Sequence, residues 1–465
     1  MTSLLALCEL MARAAHAETL EVGPGKAYPK PCAAIAAAHD NDVIEIDALG
    51  DYGGDVCPME KNGLTLRGVG GRAKIDAQGK SSGGKAIWVI SGHDTTVENL
   101  EFSGASVPDK NGAGIRQEGD NLTVRGSYFH DNDDGILSDA SAQSQILVEY
   151  SEFAHNGFGD GYSHNMYIGN VARFTLRYSY SHDSKVGHLV KSRAAENFIL
   201  YNRLSGESGT SSYELDLPNL GTSFVIGNLI EQGQGTENAS ILTYGLEGLA
   251  PGNPGHLLYV VNNTFVNDRP NGGTFVNIGT AVDQPALLEN NIFSGSGTVT
   301  NQVSALTRTN FSGADPLLVD PVHFDYQLQA GSPCIDHGTS PDMVGSTDLT
   351  PVWQYVHPSK ARSRVGVGAI DIGAYEFGSG NDASLGGASG MPGLSGAAGE
   401  LSQGGSESAH SGAGGLTAAP SSNEGSGCSC RTTGSSRPRN AGFIGLLACA
   451  ATVFGRRIHA RRCAV

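Results

Sequence analysis

The residues with the most chemistry to offer lie in one basic band of an otherwise acidic chain. Between Arg173 and Arg203, six basic residues (Arg173, Arg177, Lys185, Lys191, Arg193, Arg203) stand against only Asp183 and Glu196, a local charge of +4 where the whole chain carries a formal −17. From Leu204 to Asp268 the pattern inverts: Lys and Arg are absent, while Glu207, Glu214, Asp216, Glu231, Glu237, Glu247 and Asp268 occur. Cations next to carboxylates and phenols suit β-elimination on a uronate-containing polysaccharide. A cation or metal neutralises the substrate carboxylate, a base removes the proton alpha to it, and an acid protonates the leaving oxygen. In that scheme Lys191 is the base, Arg193 or Arg203 binds the carboxylate, and Tyr167 or His188 donates the proton. Asn165 and Tyr162 add contacts to the sugar, and Glu214 with Asp216 offers carboxylates to a calcium ion. Repulsion from Arg193 would help Lys191 give up its proton. A purely structural alternative has Lys191 pairing with Asp216.

These residues can meet only if the chain stacks them. His164 to Gly169, His188 to Arg193 and Tyr213 to Leu217 occupy equivalent places in successive repeats. With Met166, Ile168, Val190, Leu215 and Leu217 inward, strand alternation sends Asn165, Tyr167, Lys191, Glu214 and Asp216 outward along one groove. The repeat itself shows in segments aligned at Val97, Val124, Val148, Leu176, Leu200, Ile226, Val261 and Leu288, spaced 27, 24, 28, 24, 26, 35 and 27 residues apart. The long interval carries an insertion near Leu249 to Pro254. Each unit is two short strands around a Gly, Asn or Asp turn, too small to bury its own apolar face, so many units must stack. Asn99, Asn202, Asn228, Asn263 and Asn290 suit the left-handed backbone of such turns. The expected fold is all-β: a single-stranded right-handed parallel β-helix solenoid over residues 18–377, with a helical cap around Pro31 to Ala38. Cys32 and Cys57 flank the first β segment and either bridge, in an exported chain, or remain buried thiols.

Near the end of that region, Phe324 to Leu328, Ala330 to Asp336 and Asp371 to Phe377 resemble the segment that closes bacterial β-helix proteins, and residues 19–377 resemble the pectate-lyase-like superfamily. That superfamily hosts lyases, hydrolases, epimerases and adhesins, so the resemblance implies a fold before an activity. The placement of Lys191 and its arginines is similar to that in β-helical alginate lyases and chondroitinase B, which use a Lys and an Arg on adjacent coils, although no family motif surrounds Lys191. A hydrolase resembling polygalacturonases is the alternative: Asp133-Asp134-Gly135 and Gly187-His188 echo its motifs, while its Arg-Ile-Lys and Asn-x-Asp elements are missing. A third reading is a non-catalytic glycan-binding rod with Tyr162, Tyr167 and Tyr178 as stacking platforms.

The ends of the chain point outward from the cell. Leu4 to Met11 followed by Ala15-His16-Ala17 reads as a signal peptide over residues 1–17, with no basic residue ahead of the apolar stretch. Residues 378–427 lack aromatic, Ile, Val, Lys and Arg residues and form a Gly/Ser/Ala-rich flexible stalk. Then come Gly427-Cys428-Ser429-Cys430, an apolar run from Ala441 to Gly455, and Arg456, Arg457, Arg461 and Arg462. This tail, residues 428–465, closely resembles the MYXO-CTERM sorting tag of myxobacteria. The resemblance implies cleavage near Cys428 or Cys430 by a membrane protease and export to the cell surface, attached at the outer membrane. Residues 1–430 hold 23 basic and 47 acidic residues, net −24, which repels nucleic acid and anionic membranes. The partner expected is a polysaccharide, and the rod is expected to be a monomer.

Overall fold

The computed structural model describes residues 17–248 and 253–379. The signal peptide, the stalk, the apolar tail and the sorting cysteines Cys428 and Cys430 lie outside these residues. Within them the chain is an all-β parallel solenoid of about ten coils whose strands form three long sheets. The first sheet has 12 strands, from Thr19–Val22 to Leu306–Arg308; the second has 10, from Ala73–Asp76 to Phe311–Gly313; the third has 10, from Cys57–Met59 to Thr298–Thr300. Every pairing within the three is parallel, so each coil contributes one strand to each sheet.

What stacks is visible residue by residue. In the first sheet the buried column runs Leu66, Val97, Val124, Val148, Leu176, Ile199, Val225, Val260, Leu288. In the second, Phe102, Phe129 and Phe153 stack face to face with centroids 4.9 Å apart. The inward column corrects the sequence alignment by one residue at Leu200, Ile226 and Val261, whose immediate predecessors are the inward ones. In a strand that slip exchanges the two faces. Its cause is that the asparagines are of two kinds. Asn99, Asn262 and Asn290 take the left-handed conformation, with φ of 54°, 52° and 54°. Asn202, Asn228 and Asn263 lie one position further on and form a buried ladder instead. From Asn228 onward each side-chain oxygen accepts from the backbone and side-chain amides of the preceding asparagine, as Asn228 does from Asn202 at 2.9 and 3.0 Å. The ladder continues through Asn291 to Asn310 and satisfies donors that the bend would otherwise leave buried and unpaired.

At the N-terminal end, helix Pro31–Ala37 buries Pro31, Ala34 and Ile35 against the first strands and covers the open edge of the solenoid. Cys32 and Cys57 form a disulfide, with Cα atoms 5.8 Å apart, tying this helix to the third sheet. At the other end the chain doubles back. Three short antiparallel hairpins (Leu318–Asp320 with Asp325–Leu328, Met343–Val344 with Thr347–Asp348, Trp353–Val356 with Lys360–Ser363) run along the outside of the rod. Ser359 reaches the carbonyl of Ser151, and the amide of Val352 donates to the Tyr201 hydroxyl. The reason is apolar: outward residues Tyr201, Phe224, Ile226 and Leu287 of the first sheet, and Tyr180, Leu229 and Ile292 of the second, are buried by this segment. The residues that resemble a closing segment thus lie along the flanks of two sheets. The third sheet carries the candidate site.

Candidate active site

On the third sheet one outward column runs Val89, Arg116, Leu137, Tyr167, Lys191, Asp216, Thr243, Asn277. Tyr167, Lys191 and Asp216 are therefore neighbours on three consecutive coils, at the centre of strands Met166–Ile168, Val190–Ser192 and Leu215–Leu217. The alternation that turns them outward turns Met166, Ile168, Val190, Leu215 and Leu217 into the core.

The ammonium of Lys191 sits between two carboxylates, 3.3 Å from Asp216 Oδ2 and 3.0 Å from Glu247 Oε1. Arg193, just past the end of the same strand, holds the other oxygen of Glu247 at 2.7 Å. Its Nε donates to the Tyr167 hydroxyl at 2.7 Å, and Nη1 donates to Asn219. Both cations also lie against the Tyr167 ring, within 6 Å of its centroid. Asp216 accepts from the Thr243 hydroxyl at 2.5 Å. Burial raises the Asp216 carboxyl above its ordinary range, with Lys191 opposing. Burial also acts to raise Glu247, but Lys191 and Arg193 override it and hold that carboxyl low.

His188 belongs to a stack of rings beside this column: His164 and His188 are 4.5 Å apart and nearly parallel, and Tyr213 follows at 4.9 Å. The backbone amide of His188 donates to His164 Nδ1, and that of Tyr213 donates to His188 Nδ1. Each Nδ1 is thus an acceptor, which leaves the proton of the neutral ring on Nε2. His188 Nε2 points at Asp216 Oδ2, 3.5 Å away. Burial, reinforced by His164, Lys191 and Arg193, pushes the imidazole well below its ordinary value. His188 thus lies beside Asp216 with burial favouring its neutral ring.

Four expected site residues are elsewhere. Asn165 and Glu214 are fully buried, not outward. The three-residue strands begin only after them, and at that bend two successive side chains, Leu189 and Val190, both enter the core, so alternation does not extend back to these positions. Asn165 Oδ1 accepts from the Asn156 side-chain amide, and its own Nδ2 donates to Ser181 Oγ and the carbonyl of His182. Glu214 is held by Ser211, Thr236 and Gln232, and burial pushes its carboxyl well up. Its carboxylate faces the Ser211 and Thr236 hydroxyls, whereas that of Asp216 faces the Lys191 ammonium. Arg203 is on the second sheet, paired with Glu207 at 2.6 Å and packed on Tyr180 and Phe324. Tyr162 is exposed on the loop before the third-sheet strand, next to Asp160. Among the described residues, the group of metal-ligating side chains is His182, Asp183 and Glu207, also on the second sheet and already engaged with one another and with Glu152, Tyr180 and Arg203.

Glu247 and Asn219 are the site residues the sequence reading passed over. For Glu247 the signal was the long repeat interval; Asn219 lies just past strand Leu215–Leu217, in an interval of ordinary length. The chain leaves strand Ser240–Tyr244 through Gly245 and returns to the next coil only at Leu258–Val261. Its flanks are pinned: Glu247 N donates to the Pro218 carbonyl at 3.0 Å, and the Asn253 amide donates to the carbonyls of Arg193 and Asn219 at 3.0 and 2.9 Å.

Residues 62–213 match the family described as right-handed β-helix region. The fold is a right-handed parallel β-helix. Among solved structures, pectate lyase Pel9A is similar at a TM-score of 0.53 and 14% identity, over 77% of this chain and 96% of that one. An alginate lyase from Paenibacillus sp. str. FPU-7 aligns at a TM-score of 0.42 and 14% identity, over 64% of this chain and 99% of that one. No curated protein sequence matches this chain.

Proposed function

We propose that the third-sheet groove binds an acidic polysaccharide and cleaves it by β-elimination. One observation carries the reading: Lys191 and Arg193 together grip a single carboxylate, one oxygen each, on an outward face, with the Tyr167 hydroxyl on the same guanidinium. A uronate carboxylate placed there is neutralised by Arg193, which acidifies the proton alpha to it. Lys191 takes that proton after passing its own to Asp216, the carboxylate 3.3 Å from it. The bond to the leaving oxygen breaks as the ring double bond forms, and Tyr167 supplies the proton that oxygen needs. Solvent then returns one proton to Tyr167 and removes one from the Lys191 and Asp216 pair. That the pectate lyase Pel9A shares the fold supports a polysaccharide as substrate.

A specific observation favours a second reading, glycoside hydrolysis. Asp216 and Glu247 flank one ammonium at 3.3 and 3.0 Å, so their nearest oxygens are no more than about 6.3 Å apart. Paired carboxylates about 5 to 9 Å apart, one raised and one lowered, are what an acid and its partner need. Incubation with pectate, alginate and glycosaminoglycans separates the two. The lyase gives ultraviolet absorbance from an unsaturated uronate; the hydrolase gives reducing ends without it. Glu247→Gln also separates them, abolishing hydrolysis and sparing elimination.

The same proposal places the β-helix outside the cell. The Cys32–Cys57 disulfide supports an oxidising compartment. Failure of a membrane-impermeant reagent to label the β-helix on intact cells would contradict it.

A further inference from the structure

Resting on the uronate reading of the groove, we infer that Glu247 is a built-in stand-in for the substrate's carboxylate: it fills the carboxylate subsite of Lys191 and Arg193, and acidic glycans bind by exchanging with it.

The geometry is that of a ligand, not of a coil-to-coil pair. Lys191 and Asp216 are register partners on adjacent strands, whereas Glu247 is 56 residues from Lys191 and comes from the long interval between repeats. It presents one oxygen to each cation, at 3.0 and 2.7 Å, as a bound carboxylate would. Its side chain is 40% exposed, against 10% for Lys191 and 18% for Arg193, so it covers the cations from the solvent side. Gly245 and Gly248, both at positive φ (71° and 82°), bracket Leu246 and Glu247.

Charge makes the occupation consequential. With Glu247 in place, two cations meet two carboxylates and the groove is locally neutral inside a body of net −24, a poor lure for a polyanion. On binding, a substrate carboxylate that replaces Glu247 conserves every ion pair, with Lys191 still against Asp216. Arg193 stays positioned by Tyr167 and Asn219 when Glu247 leaves. A subsite filled by the chain's own carboxylate lowers the apparent affinity by its free fraction, so emptying it by substitution tightens binding by that factor.

The test uses the full chain with Glu247→Ala and Glu247→Gln. Sodium acetate, titrated against sodium chloride at equal ionic strength, raises the melting temperature of Glu247→Ala in a saturable way and leaves the wild type unmoved. Trigalacturonate or trimannuronate, by calorimetry, binds both variants at least tenfold more tightly than the wild type, and Lys191→Ala in the Glu247→Ala background removes the gain. Identical acetate responses in wild type and Glu247→Ala overturn the inference. Trimer affinity equal in wild type and variants overturns it too, while leaving the uronate reading intact. Acetate binding to Glu247→Ala with no trimer bound by any form supports the subsite and overturns the uronate reading instead.

Discussion

Lys191 and Asp216 are direct register partners on adjacent coils, and their charged atoms meet at 3.3 Å with both side chains almost wholly buried. The pair is therefore a structural element as well as a chemical one. Lys191→Met alone strands a buried carboxylate and is expected to cost about 3 kcal/mol. Lys191→Met with Asp216→Asn should recover most of that loss. Chemical denaturation of the two singles and the double gives the coupling, and additive singles would contradict it.

The asparagine ladder predicts a sharp local penalty. Asn263 Oδ1 accepts from the backbone and side-chain amides of Asn228, and its own amide serves the carbonyls of Val225 and Val261. Asn263→Ala leaves these groups buried and unpaired, at a cost of about 2 to 4 kcal/mol. Asn262→Gly, one residue earlier, keeps the left-handed backbone but removes buried bonds to the Asp371 and Gly373 carbonyls and to Asn290, so its cost of about 1 to 3 kcal/mol should fall on the contact with the C-terminal segment. Thermal melts give the two costs, and hydrogen exchange should place the Asn262→Gly loss at residues 371–373.

These two asparagines also show what could be read in the sequence and what could not. The repeat, its spacing and the outward run of Tyr167, Lys191 and Asp216 were legible because short strands alternate strictly and coils recur at nearly constant length. Asn262 and Asn263 look alike in sequence, yet one tolerates positive φ and the other bridges rungs, so aligning on asparagine shifted three segments by one residue. Asn165 and Glu214 were misdirected because alternation stops at a bend whose position depends on packing. Arg203 sits close to Lys191 in sequence, but each coil has three faces, and only the fold assigns a residue to one of them. Glu247 was invisible as a partner because an insertion, not the repeat, brings it to the groove.

Burial pushes the Glu231 carboxyl up to about 7, against Ser205 and the Glu207 amide, which favour its charged form. Between about pH 4.5 and 7 the folded chain then retains a proton that the unfolded chain has released, so this residue's contribution to stability falls as pH rises through that window. Glu231→Gln keeps the neutral form at every pH. Its melting temperature should gain on the wild type between pH 5 and pH 8, and a constant difference across that range would contradict the assignment.

The Cys32–Cys57 bridge closes the N-terminal cap, so Cys32→Ser should destabilise by about 2 to 4 kcal/mol. Hydrogen exchange should localise the first loss of protection to residues 17–60, and uniform loss along the rod would contradict a cap-specific role.

Lys191→Arg tests the central claim most directly, because arginine keeps the positive charge beside Asp216 and Glu247 but cannot serve as a proton acceptor. The measurement is the initial rate of unsaturated product on the best polyuronate substrate, wild type against Lys191→Arg, with both proteins shown to melt alike. The predicted result is a loss of at least about a hundredfold with substrate still bound. A variant rate within a few-fold of the wild type would contradict elimination by Lys191.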